Sequence, residues 1–337
     1  MARATRTGVA VIIPTYNRRD LVVRAVRSVL RQSYSDLCCA VVDNGSTDGT
    51  ADALTALGDP RVKVLSQATP MGGPAARNLG IAATEGTEWV AFLDSDDLWA
   101  PTKIERQLAA LSLHPGSAWS ATSCVNVGQS LQVLQALRLV EGPPGVDEVV
   151  MFSPEQIRTV LKEDNHIPSG NSTVMVSRAL LDECGYFDPS LATCDDWDLW
   201  LRLAARSPMA YVDRPLAGYL IWEGQSSSNE RAFTRDAMTV RARNFPEGGP
   251  PIRHYIARWD REAGRRHVAA GRRWRAARNY ARAAWFGMAP GQLAYAVAAA
   301  AAPKATERRL AHIERGQRLP AGWQAEAEGW LGPYRAG

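Results

Sequence analysis

Along the first 115 residues, short apolar runs alternate with stretches whose apolar positions recur every three or four residues. Val9–Pro14 is wholly apolar and stops at a proline; Cys38–Val42, Val62–Leu65 and Trp89–Leu93 are similar short runs. Short apolar runs bounded by polar turns predict buried strands. Between them, Leu21, Val22, Ala25, Val26, Val29 and Leu30 share one face of a helix, and Thr50–Leu57, Ala75–Ala83 and Pro101–Leu113 also read as helices. Ser46 is placed to cap the second helix, and Pro74 lies near the start of the third. Four strand–helix alternations with short links predict an α/β fold, a mostly parallel sheet with helices on both faces. Ligands of such sheets bind beyond the carboxyl ends of the strands. Here every strand exit is polar or acidic.

Beyond residue 115 the pattern loosens. Ala118–Val127 reads as a strand, and Gln129–Pro154, rich in Gly and Pro around Glu141–Gly145, as a mobile or inserted segment. Ser172–Val176 predicts a strand, Arg178–Cys184 a helix closed by Gly185, and Asp195–Ala205 a helix. Met209–Val212 and Leu216–Trp222 are strand-like, and Gln225–Asn229 is a polar loop. Three helical patterns then follow, Tyr255–Ala270, Trp274–Trp285 and Leu293–Ala302. Gly271, Ala277, Tyr280, Ala284 and Pro290 match half of a tetratricopeptide unit, too little to establish a repeat. The expected division is residues 1–230 against a helical C-terminal domain, 231–337.

Charge sharpens that division. The net charge of the 337 residues is +4, which singles out no polyanionic partner, and no nucleic acid is expected. Ile252–Gly337 holds 16 Lys or Arg and 6 Asp or Glu, so a balance of +10 there leaves −6 for the rest. The tail arginines read as a solvated helix face or, more sharply, as a surface for an anionic membrane or an acidic partner. Five cysteines without CxxC spacing suggest neither a disulfide framework nor a zinc site. The Ala-rich run Leu293–Ala302 is shorter than a membrane span needs. A soluble, cytoplasmic protein is expected, with at most peripheral contact at the inner face of a membrane.

The candidate chemistry gathers where Trp89–Leu93 ends in Asp94, Ser95, Asp96 and Asp97. Three carboxylates in four positions repel one another unless a cation joins them. Asp94 and Asp96 are the expected ligands of Mn²⁺ or Mg²⁺, which prefer oxygen and often share substrate phosphates. Asp97 reads as the start of the turn toward Pro101. Tyr16 can lie against a nucleobase, with the backbone of Thr15 or Asn17 at its edge, and Asp43 can accept an imide N–H. Taken alone, Asp43 reads more readily as a helix cap together with Ser46, and its place in order with the other strand exits favours the ligand role. Arg77 and Asn78 lie on a helix start suited to a diphosphate, although Arg77 could instead pair with Glu85.

Val11–Arg18 (VIIPTYNR), Val41–Thr50 (VVDNGSTDGT), Gly72–Ala82 (GGPAARNLGIA), Phe92–Asp97 (FLDSDD) and Gly185–Ala204 (GYFDPSLATCDDWDLWLRLA) occur in this order. Together they resemble the motifs of family 2 glycosyltransferases with the GT-A fold, over residues 8–225. The resemblance implies metal-dependent, inverting transfer of a sugar from a nucleotide donor, UDP-linked if Asp43 reads uracil. It assigns nucleotide-sugar binding to 8–115 and the acceptor and catalytic part to 116–230. The implied donor-side set is Pro14, Thr15, Tyr16, Asn17, Arg18, Asp43, Asn44, Gly72, Arg77, Asn78, Asp94 and Ser95, with Asp94 and Asp96 on the metal. Asp196 resembles the catalytic base, with Asp195 in place of the usual Glu and orienting the acceptor; either of the two could take the proton.

The implied acceptor side is Ser169, Gly170, Asn171, Trp197 and Trp222. Trp197 and Trp200 also read as plain core, and His166 as an ordinary loop histidine. Many family members carry Arg and His in the strand before the Ser-rich loop, where this chain has Leu220 and Trp222, leaving Glu223 and Ser226–Ser228 as substitutes. The expected acceptor is a saccharide or lipid-linked saccharide (glycolipid). A Ser or Cys side chain of a peptide and a non-catalytic nucleotide-sugar-binding scaffold are the alternatives. The helical domain is expected to help choose the acceptor or to form a homodimer.

Overall fold

The structure is a computed structural model describing residues 8–141, 148–162, 164–222, 230–246, 248, 252–269, 271–287, 291–306 and 319–335. Two compact units emerge, one of Met1–Leu161, Asn165–Ile221 and Leu319–Gly337, the other of Lys162–Asp164 and Trp222–Arg318. The sequence had suggested a single division at residue 230, whereas Leu319–Gly337 packs with the first unit.

In the first unit, β1 (Val9–Thr15), β2 (Leu37–Asp43), β3 (Val62–Ser66) and β4 (Trp89–Phe92) pair in parallel in the order β3-β2-β1-β4. The sheet then turns mixed. β9 (Met175–Ser177) runs antiparallel to both β4 and β6 (Trp119–Val127), and β10 (Met209–Leu220) pairs in parallel with β6. β5 (Leu98–Trp99), β7 (Val133–Leu137) and β8 (Val149–Phe152) add antiparallel edges. The segment Gln129–Pro154, left open by its Gly and Pro content, supplies β7 and β8, while 142–147 lie outside the described residues, and helix α5 (Pro154–Leu161) starts at its end.

Both faces of β1, β2 and β4 are largely buried, which explains their apolar runs, whereas the edge strand β3 leaves Lys63 and Ser66 exposed. Val9, Val11 and Ile13 join the core with α1 (Arg19–Leu30), whose Val22, Val26 and Val29 point inward. On the other face Ile12 meets α3 (Gly73–Ala82) at Gly80, where an added Cβ would lie 2.7 Å from an Ile12 methyl carbon. Only glycine lets this helix sit so close. Farther along, Phe92, Phe187, Trp200 and Trp119 form an aromatic chain, with centroid separations of 5.1 Å for Phe92–Phe187 and 6.3 Å for Trp119–Trp200. This chain sets α7 (Asp195–Ala204) beside β4.

Several local expectations change. Ser46 does not cap α2 (Thr50–Thr55); the cap position is Gly49, and Asp48 Oδ1 accepts from the Thr50 N–H at 3.1 Å. The polar start Ser172-Thr173 belongs to a 3₁₀ turn, Gly170–Thr173, rather than to β9. Helix α4 begins at Lys103, since Pro101 and Thr102 precede it in a turn. The two strands expected around Asp213 are one, β10, with register shifts around Pro215, where no N–H can join the ladder.

A C-terminal helix, Trp323–Leu331, returns to this unit. Trp323 and Leu331 are buried, Trp330 lies against Gly218 of β10, and Arg214 pairs with Glu326 at 3.1 Å. The second unit contains α8 (Glu230–Asn244), α9 (Ile252–Ala269), α10 (Arg273–Gly287) and α11 (Gly291–Ala301). Its core includes Val268, Ala276, Tyr280, Ala296 and Ala299, and Asn279 donates to the buried Asp260 at 3.0 Å. No described helix is long and apolar enough to cross a membrane.

Candidate active site

The exits of β1, β2 and β3 are laced together before any ligand is considered. The Asn44 N–H donates to Thr15 O, and the Met71 N–H to Asn44 Oδ1 at 2.8 Å. Asn17 takes a left-handed backbone, φ 49°, that asparagine tolerates. Its Oδ1 accepts from the Thr47 N–H, while its own N–H donates to Ser46 Oγ. Asp43 Oδ1 accepts from the Ser46 N–H at 3.0 Å, a bond that closes the loop after β2 and does not cap α2, so Asp43 is not the helix cap it could have been with Ser46. Tyr16 is exposed above this loop, Pro14 is half-buried, and the Gly72 backbone is open at the start of α3. Thr15 Oγ1 is buried without a hydrogen-bond partner.

Two guanidiniums meet the carboxylates of β4. Arg18 lies 3.0 Å from Asp96 and 3.3 Å from Ser95 Oγ. Arg77 is buried and forks: one nitrogen reaches Asp94 at 2.7 Å, the other Asp195 at 2.9 Å. Its pairing with Glu85 is thereby replaced. Asn78 is used structurally, its amide donating to Phe187 O and accepting from the Phe187 N–H, which places it away from a donor role.

Asp97 needs the largest correction. Its N–H does close a turn onto Asp94 O, but its carboxylate is fully buried. Ser169 Oγ donates to it at 3.0 Å, Ser172 Oγ at 2.5 Å and the Leu220 N–H at 3.1 Å. Burial, and then the nearby Asp96 and Asp94, push its pKa well above the usual carboxylate range. Ser172 Oγ also accepts from the Asp94 N–H. Asp97 therefore ties the end of β4 to the 3₁₀ turn and to β10.

Across from it, Asp195 and Asp196 open α7. Asp195 is held by Arg77, and its pKa is raised chiefly by burial. Asp196 has neutral hydrogen-bond partners. Asn165 Nδ2 donates to its Oδ2 at 2.8 Å and the Trp197 N–H to its Oδ1 at 2.7 Å. Burial, then the charge of Asp195, raise Asp196 to about 7. Gly170 lies against it: an added Cβ would stand 2.5 Å from Asp196 Oδ2, at a backbone φ of 49° that disfavours side chains. Of the other acceptor-side residues, Ser169 serves Asp97, and Asn171 is buried with an unpartnered Oδ1. Trp197 is core, fully buried with its indole N–H on Leu161 O, so it offers no face to a sugar. Trp222 falls in the second unit, and Glu223 and Ser226–Ser228 lie outside the described residues.

The resemblance had put Asn165, in the stretch Asn165–Asn171, on the acceptor side without its bond to Asp196, and sequence reasoning missed Ser172 and Phe187 as parts of this arrangement. Asn165 lies 31 residues from Asp196, and no local pattern announces their bond. Among the described residues no three His, Cys, Asp or Glu side chains form a self-sufficient metal centre. Two carboxylates at a strand exit do fit a hard cation whose remaining ligands come from a substrate diphosphate and water. Asp94 and Asp96 are the pair that would hold it.

A sheet with these laced exits and two facing acidic segments has the GT-A architecture of sugar-nucleotide transferases. Residues 10–163 match the family described as Glycosyl transferase family 2. The putative teichuronic acid biosynthesis glycosyltransferase TuaG of Bacillus subtilis is 34% identical over 226 residues, 66% of this chain and 82% of that protein. The UDP-Glc:alpha-D-GlcNAc-diphosphoundecaprenol beta-1,3-glucosyltransferase WfaP of Escherichia coli is 36% identical over 202 residues, 59% of this chain and 70% of that one. The match spans about a third of an uncharacterized glycosyltransferase of Rickettsia conorii, 34% of its length. Among solved structures, Staphylococcus aureus TarS 1-349 in complex with UDP-GlcNAc superposes with a TM-score of 0.60 at 19% identity, covering 98% of this chain and 92% of that one. The chain belongs to glycosyltransferase family 2 and is a glycosyltransferase.

Proposed function

We propose that the chain transfers a sugar with inversion from a UDP-sugar to a hydroxyl of a saccharide or lipid-linked saccharide, at the cytoplasmic side of a membrane. The carrying observation is Arg77, whose single guanidinium joins Asp94 of the donor side to Asp195 of the acidic helix start. That fork supports a leaving-group site at Asp94 beside an acidic helix start whose next residue, Asp196, is the base.

Asp196 is the base in this reading, and Asp195 is not. Asp195 is committed to Arg77, whereas Asp196, raised to about 7, takes and releases a proton near neutrality. Asn165 and the Trp197 N–H hold its carboxylate still, and Gly170 leaves room beside it. Inversion follows when Asp196 accepts the acceptor-hydroxyl proton as that oxygen attacks the anomeric carbon. Tyr16 and Asp43 would receive the base of the nucleotide, and Arg18 and Arg77 would face the negative charge that grows on the departing diphosphate. Bound at Asp94 and Asp96, Mn²⁺ or Mg²⁺ would supply further neutralisation of that charge. The lipid-linked acceptor is supported by the likeness to WfaP, a glucosyltransferase acting on alpha-D-GlcNAc-diphosphoundecaprenol.

The test is a donor panel: thermal stabilisation by UDP-, GDP- and dTDP-sugars with Mn²⁺. Stabilisation by a UDP-sugar that Asp96→Ala removes is the expected result. No shift with any nucleotide sugar overturns the reading, and a hexose mass increment on a supplied peptide moves the acceptor to a Ser or Cys side chain.

A further inference from the structure

The second unit carries a feature that sugar transfer does not use. On α10, Ala276, Asn279, Tyr280, Ala283 and Ala284 are buried. The opposite face presents Trp274, Arg278 and Trp285, spaced four and seven residues apart. Trp274 is 67% exposed and Trp285 81%. At 1.5 Å per residue the two rings are about 16 Å apart along the helix. Arg273 and Arg275 flank the stripe, and α10 contains no acidic residue. Helix α11, packed beside it through Ala296 and Ala299, has no charged residue at all, yet exposes Leu293 (51%) and Val297 (68%). From residue 252 to 306 the chain holds eleven Lys or Arg and two Asp or Glu.

We propose that the α10–α11 surface docks on an anionic phospholipid bilayer. Two outward tryptophans separated by arginines match the headgroup region, where indole rings are stable and guanidiniums meet lipid phosphates. Such helices lie in the interface plane and need no spanning length. Charge selects the occupant. A second copy would set arginine against arginine, which repels. A nucleic acid would satisfy the arginines and could stack on the tryptophans, but would leave exposed Leu293 and Val297 with no apolar partner. A bilayer accommodates both the arginines and the aliphatic pair.

The experiment is flotation of the full chain with vesicles of phosphatidylcholine alone or mixed with phosphatidylglycerol, at low and high salt. Binding to the anionic vesicles, released by salt, is expected. Arg275→Gln with Arg278→Gln should weaken it roughly thirty-fold, taking a surface arginine at about its usual worth near an anionic leaflet. Trp274→Ala with Trp285→Ala should weaken it by about ten-fold or more. These positions are exposed, so circular dichroism and UDP-dependent stabilisation should be retained. The proposal is overturned if the chain ignores anionic vesicles or if neither pair of substitutions changes flotation. A dimer dissociated by the tryptophan substitutions would assign the face to a second copy. Oligonucleotide binding lost in both variants, with flotation unaffected, would assign it to a nucleic acid.

Discussion

The exit of β4 and the start of α7 are both clusters of aspartates, yet they hold charge differently. At β4, Asp94 and Asp96 each face a guanidinium, and Asp97 sinks beneath them onto two serine hydroxyls and a backbone N–H. At α7, Asp195 is likewise paired with Arg77, but Asp196 meets only an amide side chain and a backbone N–H. A cationic partner favours the ionised form of a buried carboxylate, while burial and a neighbour's negative charge favour the proton. In the proposed reading, one residue type thus supplies an anion-matched donor side and a proton-exchanging group.

The contrast breaks most sharply at Asp196. Asp196→Asn should cut kcat by roughly a thousand-fold, in the range of a lost general base, while UDP binding by calorimetry stays near that of the parent. Retained turnover would return the base to Asp195. Next comes Arg77, the tie between the clusters. Arg77→Ala leaves the buried Asp195 and the half-buried Asp94 without their cation and should cost about 3–5 kcal/mol, seen as a lower thermal midpoint. An unchanged midpoint would mean that the two clusters do not depend on each other.

The pH dependence sharpens the comparison at smaller amplitude. As a base with a pKa of about 7, Asp196 should make kcat/KM fall tenfold per unit below that pH. Stability follows the same group with a definite sign. Its folded pKa lies above the unfolded value near 4, so its contribution is complete below pH ~4 and is lost as pH rises through 7. Asp196→Asn should therefore raise the thermal midpoint relative to the parent more at pH 8 than at pH 5. The smallest effect is expected from Asn165→Ala. Without the bond to Oδ2 the ionised form is less favoured, and the acid limb should move to higher pH by about half a unit to one unit. A limb that stays put would make Asn165 structural only.

Much of the donor side was legible because its chemistry is local. Asp94, Asp96, Tyr16 and Asn17 each lie within a few residues of a strand end, and an apolar run followed by polar residues marks such an end. Asp97 was misread for the opposite reason: its three donors are 72, 75 and 123 residues away, and a buried aspartate looks in sequence like one in a turn. Trp197 could be read as core or as sugar-facing, and only packing decided for core. The return of Trp323–Leu331 to the sheet was equally hidden, since a helix with two tryptophans reads alike in either unit.

By itself the order of apolar runs, helical faces and acidic strand ends determined the α/β class, the position of the donor-side loops and the pair of carboxylates suited to a hard cation. These follow from backbone periodicity and short-range sterics, which act within a few residues. The tertiary structure decided which aspartate is paired and which can exchange a proton. That choice depends on Arg77 spanning 17 residues to Asp94 and 118 to Asp195, and on Asn165 reaching Asp196. A carboxylate's pKa is set by its neighbours in space, and those neighbours are assembled only when the sheet, the 3₁₀ turn and α7 come together.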